Sequence, residues 1–205
     1  MTPAAFATEY STSPEAMERL EAFAALLTEW QGRMNLVAAS TIDQMYERHF
    51  ADSAQLAALA QASPTTTWLD IGSGAGFPAL VLAVLAEGTF HLVESRAKKC
   101  AFLAAAAETL GVADRIMIHP VRIEDLPPFA VDIVTARATA ALPQLFAWAL
   151  PFGRDACWVL PKGRTVAAEI AAASTEFRFD HELIPSRTDP DARIVVARNV
   201  RRRRP

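Results

Sequence analysis

Trp68-Leu69-Asp70-Ile71-Gly72-Ser73-Gly74-Ala75-Gly76-Phe77-Pro78 runs from an apolar segment through an acid and a glycine turn into the apolar stretch Ala79 to Ala86. Glycines at alternate positions supply a tight strand-to-helix turn and let a ligand approach backbone where a Cβ would collide. The start of the following helix offers unpaired N–H groups and a positive dipole end, which suits an anionic group. The dinucleotide fingerprint is G-x-G-x-x-G, whereas this loop is G-x-G-x-G with Asp70 two residues ahead of it. A phosphate-binding P-loop needs Lys-Ser/Thr after its last glycine, and Phe77-Pro78 stands there instead. An acid before the loop suits a ligand carrying positive charge, such as the sulfonium and amino groups of S-adenosylmethionine.

His91-Leu92-Val93-Glu94 is a second apolar segment ending in a carboxylate, 22 residues beyond Gly72. A Rossmann-type second strand places its ribose-binding acid at that distance. The bland alternative is a tight turn with no ligand, and Glu94 weighs against it.

From Thr65 onward the patterns alternate. Strands are expected near 67–71, 90–94, 115–119, 131–136, 156–160, 176–184 and 193–198, and helices near 76–86, 96–110, 140–150 and 164–174. That order predicts an α/β fold, a mostly parallel, doubly wound sheet with helices on both faces. No helical pattern separates the last two strands, so an antiparallel hairpin is expected at the edge, with Pro185 to Pro190 as its loop. Ahead of this, Leu20, Phe23, Leu27 and Trp30 give residues 14–31 one apolar helix face, with Ser13 as cap and Pro14 in the first turn. A second helix is expected over Thr41 to Ala60. The division expected is a helical arm over 1–64 and a cofactor-binding domain over 65–205.

The 205 residues are 52% hydrophobic and 21% charged, ample for a folded core. A net charge of −3 does not announce a nucleic-acid binder, so any such surface is a local patch. Cys100 and Cys157 are far apart in apolar segments, which predicts free thiols and a cytoplasmic protein. The four histidines have no neighbours at metal-ligand spacing, so no metal is expected. No apolar run is long enough for a membrane span, and no membrane association is expected. A monomer is expected. Arg201 to Arg204 is the sole low-complexity stretch, read as a disordered end or a non-specific RNA tether.

Several polar clusters accompany this frame. Arg48, His49, Asp52 and Ser53 share neighbouring helix faces, either as an intrahelical Arg48–Asp52 pair or as a group at the cleft mouth. Ser95 is a candidate helix cap, and Arg96, Lys98 and Lys99 are cations in a first turn that disfavours them, which points toward an anion. Arg122-Ile123-Glu124-Asp125 follows the third strand. Arg137 ends the fourth and Lys162 the fifth, at the edge shared with Asp70 and Glu94.

With these residues in view, the chain resembles the RsmG/GidB family, the 16S ribosomal RNA guanine-N7 methyltransferases. The matching pieces are Trp30…Asn35-Leu36, Arg48-His49…Asp52-Ser53, Asp70 to Pro78, Val93-Glu94-Ser95-Arg96…Lys98-Lys99, Arg122…Glu124-Asp125, Arg137-Ala138 and Pro161-Lys162-Gly163. They lie in family order over residues 30 to 163. Ala79 stands where the family usually has glycine, Ile123 where alanine is common, and Thr139-Ala140-Ala141 where Val-Ala-Pro is more usual.

The resemblance implies a class I methyltransferase (Rossmann-like) fold and an S-adenosylmethionine-dependent enzyme acting on N7 of a guanine in 16S ribosomal RNA or the small subunit. Cofactor-binding candidates are Asp70, Gly72, Ser73, Gly74, Gly76, Phe77, Glu94, Ser95, Ile123, Glu124 and Arg137. RNA-side candidates are Asn35, Arg48, His49, Asp52, Arg96, Lys98, Lys99 and Lys162. Guanine N7 has an in-plane lone pair and no proton to lose, so no acid or base is assigned. The rival readings are a small-molecule methyltransferase on the same sheet and a cofactor- and RNA-binding module without turnover. A nicotinamide enzyme is disfavoured by the loop spacing.

Overall fold

Thr67–Ile71 forms β1, whose last four residues are buried because helices cover it on both faces. In the computed structural model, which describes residues 1–204, β1 is flanked by parallel β2 (Thr89–Val93) and β4 (Ile133–Thr135). β3 (Ile116–His119), β5 (Cys157–Lys162), β6 (Phe177–Pro185) and β7 (Arg193–Arg202) complete a seven-stranded sheet in the order β3-β2-β1-β4-β5-β7-β6. β7 runs antiparallel to both β5 and β6, so the expected edge hairpin is present. The chain leaves β1 toward β3 and later returns to its other side at β4. Open α/β sheets bind ligands at the carboxyl end of such a switch point.

Two apolar clusters sit on the two faces. One packs α5 (Ala79–Leu85) and α6 (Ala97–Thr109) against the sheet, and it also takes in the N-terminal helices α1 (Pro3–Glu9) and α2 (Pro14–Gln31). The second joins α7 (Leu142–Ala149) and α8 (Val166–Glu176) to the other face. Phe23 of α2 lies 5.8 Å from Phe50, 5.5 Å from Phe77 and 6.2 Å from Phe102, centroid to centroid. The helical arm is thereby held by aromatic packing directly above the glycine loop.

Most expected elements are present, and the exceptions have local causes. Ser13 caps α2 by accepting from the Ala16 N–H, with Pro14 at its first position. α1 was not anticipated; Thr2 caps it and Pro3 starts it. The single helix expected over 41–60 is broken into a 3₁₀ segment Ala39–Gln44, a π-helical turn Tyr46–Ala51, and the short α3 (Asp52–Ala54) and α4 (Ala57–Ala60). Left-handed Gln61, at φ 51°, ends it. α5 starts at Ala79 because Gly76, at φ 84°, is still in the turn. Ser95 does not cap α6. Arg96 is the capping residue, and its N–H donates to Glu94 Oε1 at 2.8 Å.

Candidate functional site

The glycine loop hangs from the end of β2. Gly72 and Ser73 donate backbone N–H bonds to Val93 O at 2.9 and 3.1 Å, and Gly74 N donates to Glu94 Oε2 at 3.1 Å. Gly72 is at φ 69°, and a Cβ there would lie 2.7 Å from the Thr139 side chain. Gly74 differs: at φ 56° a Cβ there would meet only ordinary contacts, Lys99 Nζ at 3.6 Å and Gly72 O at 3.7 Å, and the residue lines a recess. Gly76 packs against Leu80 and Leu103. The loop is thus filled on its underside and free on its upper side.

Beneath it lies Asp70, only 1% exposed. Its Oδ1 accepts from Thr135 Oγ1 at 2.8 Å, while its Oδ2 is buried without a partner. Burial pushes its pKa up from 3.8 to about 6, against the opposing pull of Ser73, Thr135 and Arg137. Ser73, also buried, donates to Asp70 O at 3.2 Å.

Three contiguous recesses line the carboxyl edge. The first, about 190 Å³, is walled by Val93, Glu94, Ser95, Ile123, Glu124 and Trp148. It shares Gly72 with the second, about 400 Å³, bounded by Leu36, Val37, Thr41, Ser73, Gly74, Phe77 and Lys99. Arg48, Asp52, Arg137 and Ala138 separate that one from a third, about 470 Å³, closed by Pro161, Lys162, Glu169, Thr188 and Asp189.

The partition is built around Arg137. Its Nη1 donates to Asp52 Oδ2 at 3.2 Å and to Arg48 O at 3.1 Å, its Nη2 donates to His49 Nδ1 at 3.1 Å, and its guanidinium lies 4.9 Å from the Phe77 ring centroid. The π-helical turn sets this arrangement by presenting a carbonyl, an imidazole and a carboxylate to one guanidinium; such turns recur at functional sites. Arg137 is followed by Ala138 in the left-handed region, at φ 53°, a strained conformation for alanine. His49 is fixed as a neutral acceptor. Thr41 Oγ1 donates to Ala38 O at 2.7 Å and so receives the His49 Nε2–H at 2.8 Å, leaving Nδ1 for Arg137. Burial first, then Arg137 and Arg48, lower its pKa from 6.5 to about 4.

Of the two readings of the Arg48 cluster, the intrahelical Arg48–Asp52 ion pair does not form. Arg48 Nη1 instead lies 3.6 Å from Asp189 Oδ2. Asp52 Oδ1 accepts from Gln55 Nε2 at 3.1 Å and Thr188 Oγ1 at 2.9 Å, while Gln55 Oε1 takes the Arg187 N–H at 2.9 Å. The β6–β7 loop is therefore latched onto the arm. Lys162 is buried, its ammonium donating to Ala140 O at 2.7 Å and pairing with Glu169 Oε2 at 2.9 Å.

The structure brings most sequence candidates to this edge. Asn35 is exposed, accepts from Gln31 at 3.1 Å and lines none of the three recesses. Arg96 and Lys98 are exposed outside them, whereas Lys99 points onto the glycine loop. Residues without a sequence signal also contribute. Thr139 donates to Ile71 O at 2.9 Å and braces Gly72, and Gln55, Thr188 and Asp189 form the latch. Among the described residues no cluster of metal-ligand side chains occurs, and no helix is long and apolar enough to cross a membrane. Cys100 and Cys157 are both free thiols.

A family profile described as rRNA small subunit methyltransferase G matches residues 16–194. The chain belongs to this family. A Rhodospirillum rubrum relative named ribosomal RNA small subunit methyltransferase G is 47% identical, covering 95% of this chain and 96% of its own. A Rhizorhabdus wittichii relative of the same name is 43% identical over 91% of this chain and 87% of its own. Among solved structures, cofactor-bound Rv0187 from MTB superposes with a TM-score of 0.61 at 18% identity, over 88% of this chain and 89% of that one. The O-methyltransferase from Bacillus cereus in complex with SAH gives 0.59 at 15% identity, over 86% and 90%. These likenesses show the class I methyltransferase fold.

Proposed function

We propose that this protein transfers a methyl group from S-adenosylmethionine to N7 of a guanine in 16S ribosomal RNA of the small subunit. The observation that carries the reading is the continuous three-part cleft at the switch point, in a chain of the rRNA small subunit methyltransferase G family.

The residues fit the cofactor. The upper side of the glycine loop is open at Gly74, and the unpartnered Asp70 carboxylate oxygen beneath it supplies a negative field suited to a sulfonium. Lys99, on the loop, suits a carboxylate, and Glu94 keeps acceptor lone pairs for ribose hydroxyls beside the Ile123 and Glu124 recess. Ser73 and Gly76 shape the loop, Phe77 supports it from within the core, and Ser95 rims the ribose side. When bound, S-adenosylmethionine supplies an electrophilic methyl on positively charged sulfur.

The chain's own task is then to orient and to exclude water. N7 carries a lone pair and releases no proton, so no general base is needed. His49 matches that requirement. It is held neutral, with both nitrogens committed to Thr41 and Arg137, and serves as a positioning group. Arg48, Arg96 and Lys98 are the exposed cations assigned to RNA phosphates, Lys162 walls the substrate side, and Asn35 borders the arm. Residues 1–64 act as the substrate-side arm and 65–205 as the cofactor domain, and the protein acts in the cytoplasm. We read it as a monomer, because the charged edge strand β6, with Arg178, Asp180 and Glu182 exposed, discourages edge-to-edge pairing; sedimentation of a dimer at micromolar protein would refute this.

The test is methyl transfer from radiolabelled S-adenosylmethionine to ribosomal RNA from cells lacking the protein, followed by nucleoside analysis. Label is expected in 7-methylguanosine of the small-subunit RNA. Label in another nucleoside, or none in the presence of cofactor binding, would overturn the assignment.

A further inference from the structure

The family match ends at residue 194, yet residues 195–204 carry five arginines and no acid. Read from sequence, Arg201 to Arg204 is a disordered end or a non-specific RNA tether, and the structure shows that Arg201 and Arg202 are ordered in a strand. β7 continues through Arg202, Arg203 N donates to Glu176 O at 2.7 Å, and Arg203 Nε donates to Ser174 O at 2.9 Å. Arg201 and Arg202 are part of the sheet, and Arg203 is tied to the end of the preceding helix.

Strand pairing gathers more of them. Arg178 of β6 lies directly opposite Arg201, and Arg201 Nη1 donates to the carbonyl of Arg154 in the turn before β5. Three segments distant in sequence thus converge on one arginine surface. Two of the charges are answered: Arg201 pairs with Asp155 at 2.6 Å, and Arg202 lies 3.8 Å from Glu176. Asp180 spends its Oδ2 on Asn199 at 2.6 Å. Arg154, Arg178, Arg198, Arg203 and Arg204 are exposed and have no ion-pair partner among the described residues. Arg178 stands opposite Arg201 in the ladder, and Asp155 answers Arg201 alone, so the Arg178 charge is left for an external anion.

Without the seven arginines at this end, 13 cationic residues would face 23 acidic ones in the whole chain. A polyanion therefore meets a predominantly acidic body except at the cleft rim and here. The two places are far apart. Lys162 pairs with Arg193 at the cleft end, and the eight further steps to Arg201 span roughly 27 Å of strand at the opposite end of the sheet.

We propose that this arginine end is a second RNA-contact surface, which grips phosphates of a neighbouring helix in folded small-subunit RNA while the target guanine occupies the cleft. The inference rests on the ribosomal RNA reading above. It implies that a short hairpin cannot reach both surfaces and that only long, folded RNA can.

The test is a quadruple variant, Arg154→Gln, Arg178→Gln, Arg198→Gln and Arg204→Gln, which leaves the fold contacts of Arg201, Arg202 and Arg203 intact. Truncation after Asn199 would be uninformative, since it also removes fully buried Val200. Filter binding over a range of salt concentrations is measured for full-length small-subunit RNA, for assembled small subunits and for a short hairpin carrying the target guanine, with thermal melting and cofactor calorimetry as controls. The slope of log affinity against log salt for the long RNA is expected to fall by about 0.7 to 0.9 per arginine removed. Hairpin binding, cofactor binding and melting should be unchanged. An unchanged slope on the long RNA overturns the proposal. So does a loss confined to assembled particles, which would assign the surface to a ribosomal protein. Should the wild type bind neither RNA in a salt-dependent way, the ribosomal RNA reading falls with it; should the wild type methylate RNA while the variant keeps its slope, this proposal alone falls.

Discussion

Replacing Asp70 by asparagine should make the protein more stable at neutral pH and a weaker cofactor binder. The carboxyl is buried with one oxygen unpartnered, and its pKa is raised from 3.8 to about 6. A raised carboxyl pKa means that folding favours the protonated form. Its contribution is therefore harmless below the unfolded pKa, turns unfavourable as pH climbs toward 6, and is constant above that. A shift of about two units corresponds to about 3 kcal/mol at pH 7.5, roughly half of which is already present at pH 5. Asparagine keeps the shape and the bond to Thr135 while removing the charge, though its amide leaves one polar group unsatisfied. A net gain of about 1 to 2 kcal/mol at pH 7.5 is expected, shrinking by about 1.4 kcal/mol at pH 5. Urea denaturation of both proteins at the two pH values measures this difference directly. Calorimetry should show S-adenosylmethionine bound more weakly, since the negative field beneath the loop is gone. If the stability difference between the proteins does not change with pH, Asp70 is not ionising in the buried site and the reasoning fails.

Other substitutions probe the loop, the latch and the rim. Gly74→Val has room for its side chain but adds strain at φ 56° and fills the open side of the loop, so cofactor binding should vanish with the fold retained; unchanged affinity by calorimetry would remove the loop from the site. Asp52→Ala leaves the guanidinium of Arg137 without its carboxylate in a part-buried setting and should cost about 1.5 to 3 kcal/mol in denaturant unfolding, with no loss indicating that the pair is not formed in solution. Gln55→Ala should release the β6–β7 loop, raising amide exchange over 186–192 with little change elsewhere, and equal protection in both proteins would refute the latch. Single alanine changes at Arg96 and Lys98 should each lower the salt slope of RNA binding by about 0.7, with a smaller drop for Arg48, which Asp189 already answers, and a slope indifferent to all three would rule out the rim.

What could be read in advance follows from the range over which residues interact. The glycine loop, Asp70 and Glu94 act within a strand, a turn and the start of a helix, so their spacing alone marks the switch point. Alternation in the same windows gave the order of strands and the edge hairpin. The partition of the cleft was not readable this way. Thr188 meets Asp52 across 136 residues and Ser186 meets Gln55 across 131, and neither pair has a local pattern. Helical periodicity over 41–60 predicted one helix because a π-turn changes the phase by a single residue and leaves composition untouched. The terminal arginines misled for a related reason: runs of like charge are normally solvated, and here buried Val200 and Phe177 hold Arg201 and Arg202 in a strand while the carbonyls of Ser174 and Phe177 take Arg203.

The pairing of Arg137 also bears on the chemistry. In the proposed reaction, methylation at N7 leaves the guanine positively charged, so an uncompensated guanidinium beside it would oppose the product. Arg137 is compensated. One carboxylate and a carbonyl take its Nη1, the imidazole takes its Nη2, and the Phe77 ring lies against its face. Arg48 is answered by Asp189 and Lys162 by Glu169. Each cation bordering the third recess thus has its own acid within 4 Å. The field across that recess is close to neutral, while exposed Arg96 and Lys98 remain outside to attract phosphate. A cleft that neutralises its own cations and leaves unpaired ones on the rim separates two requirements, holding a polyanion and tolerating a new positive charge on its base.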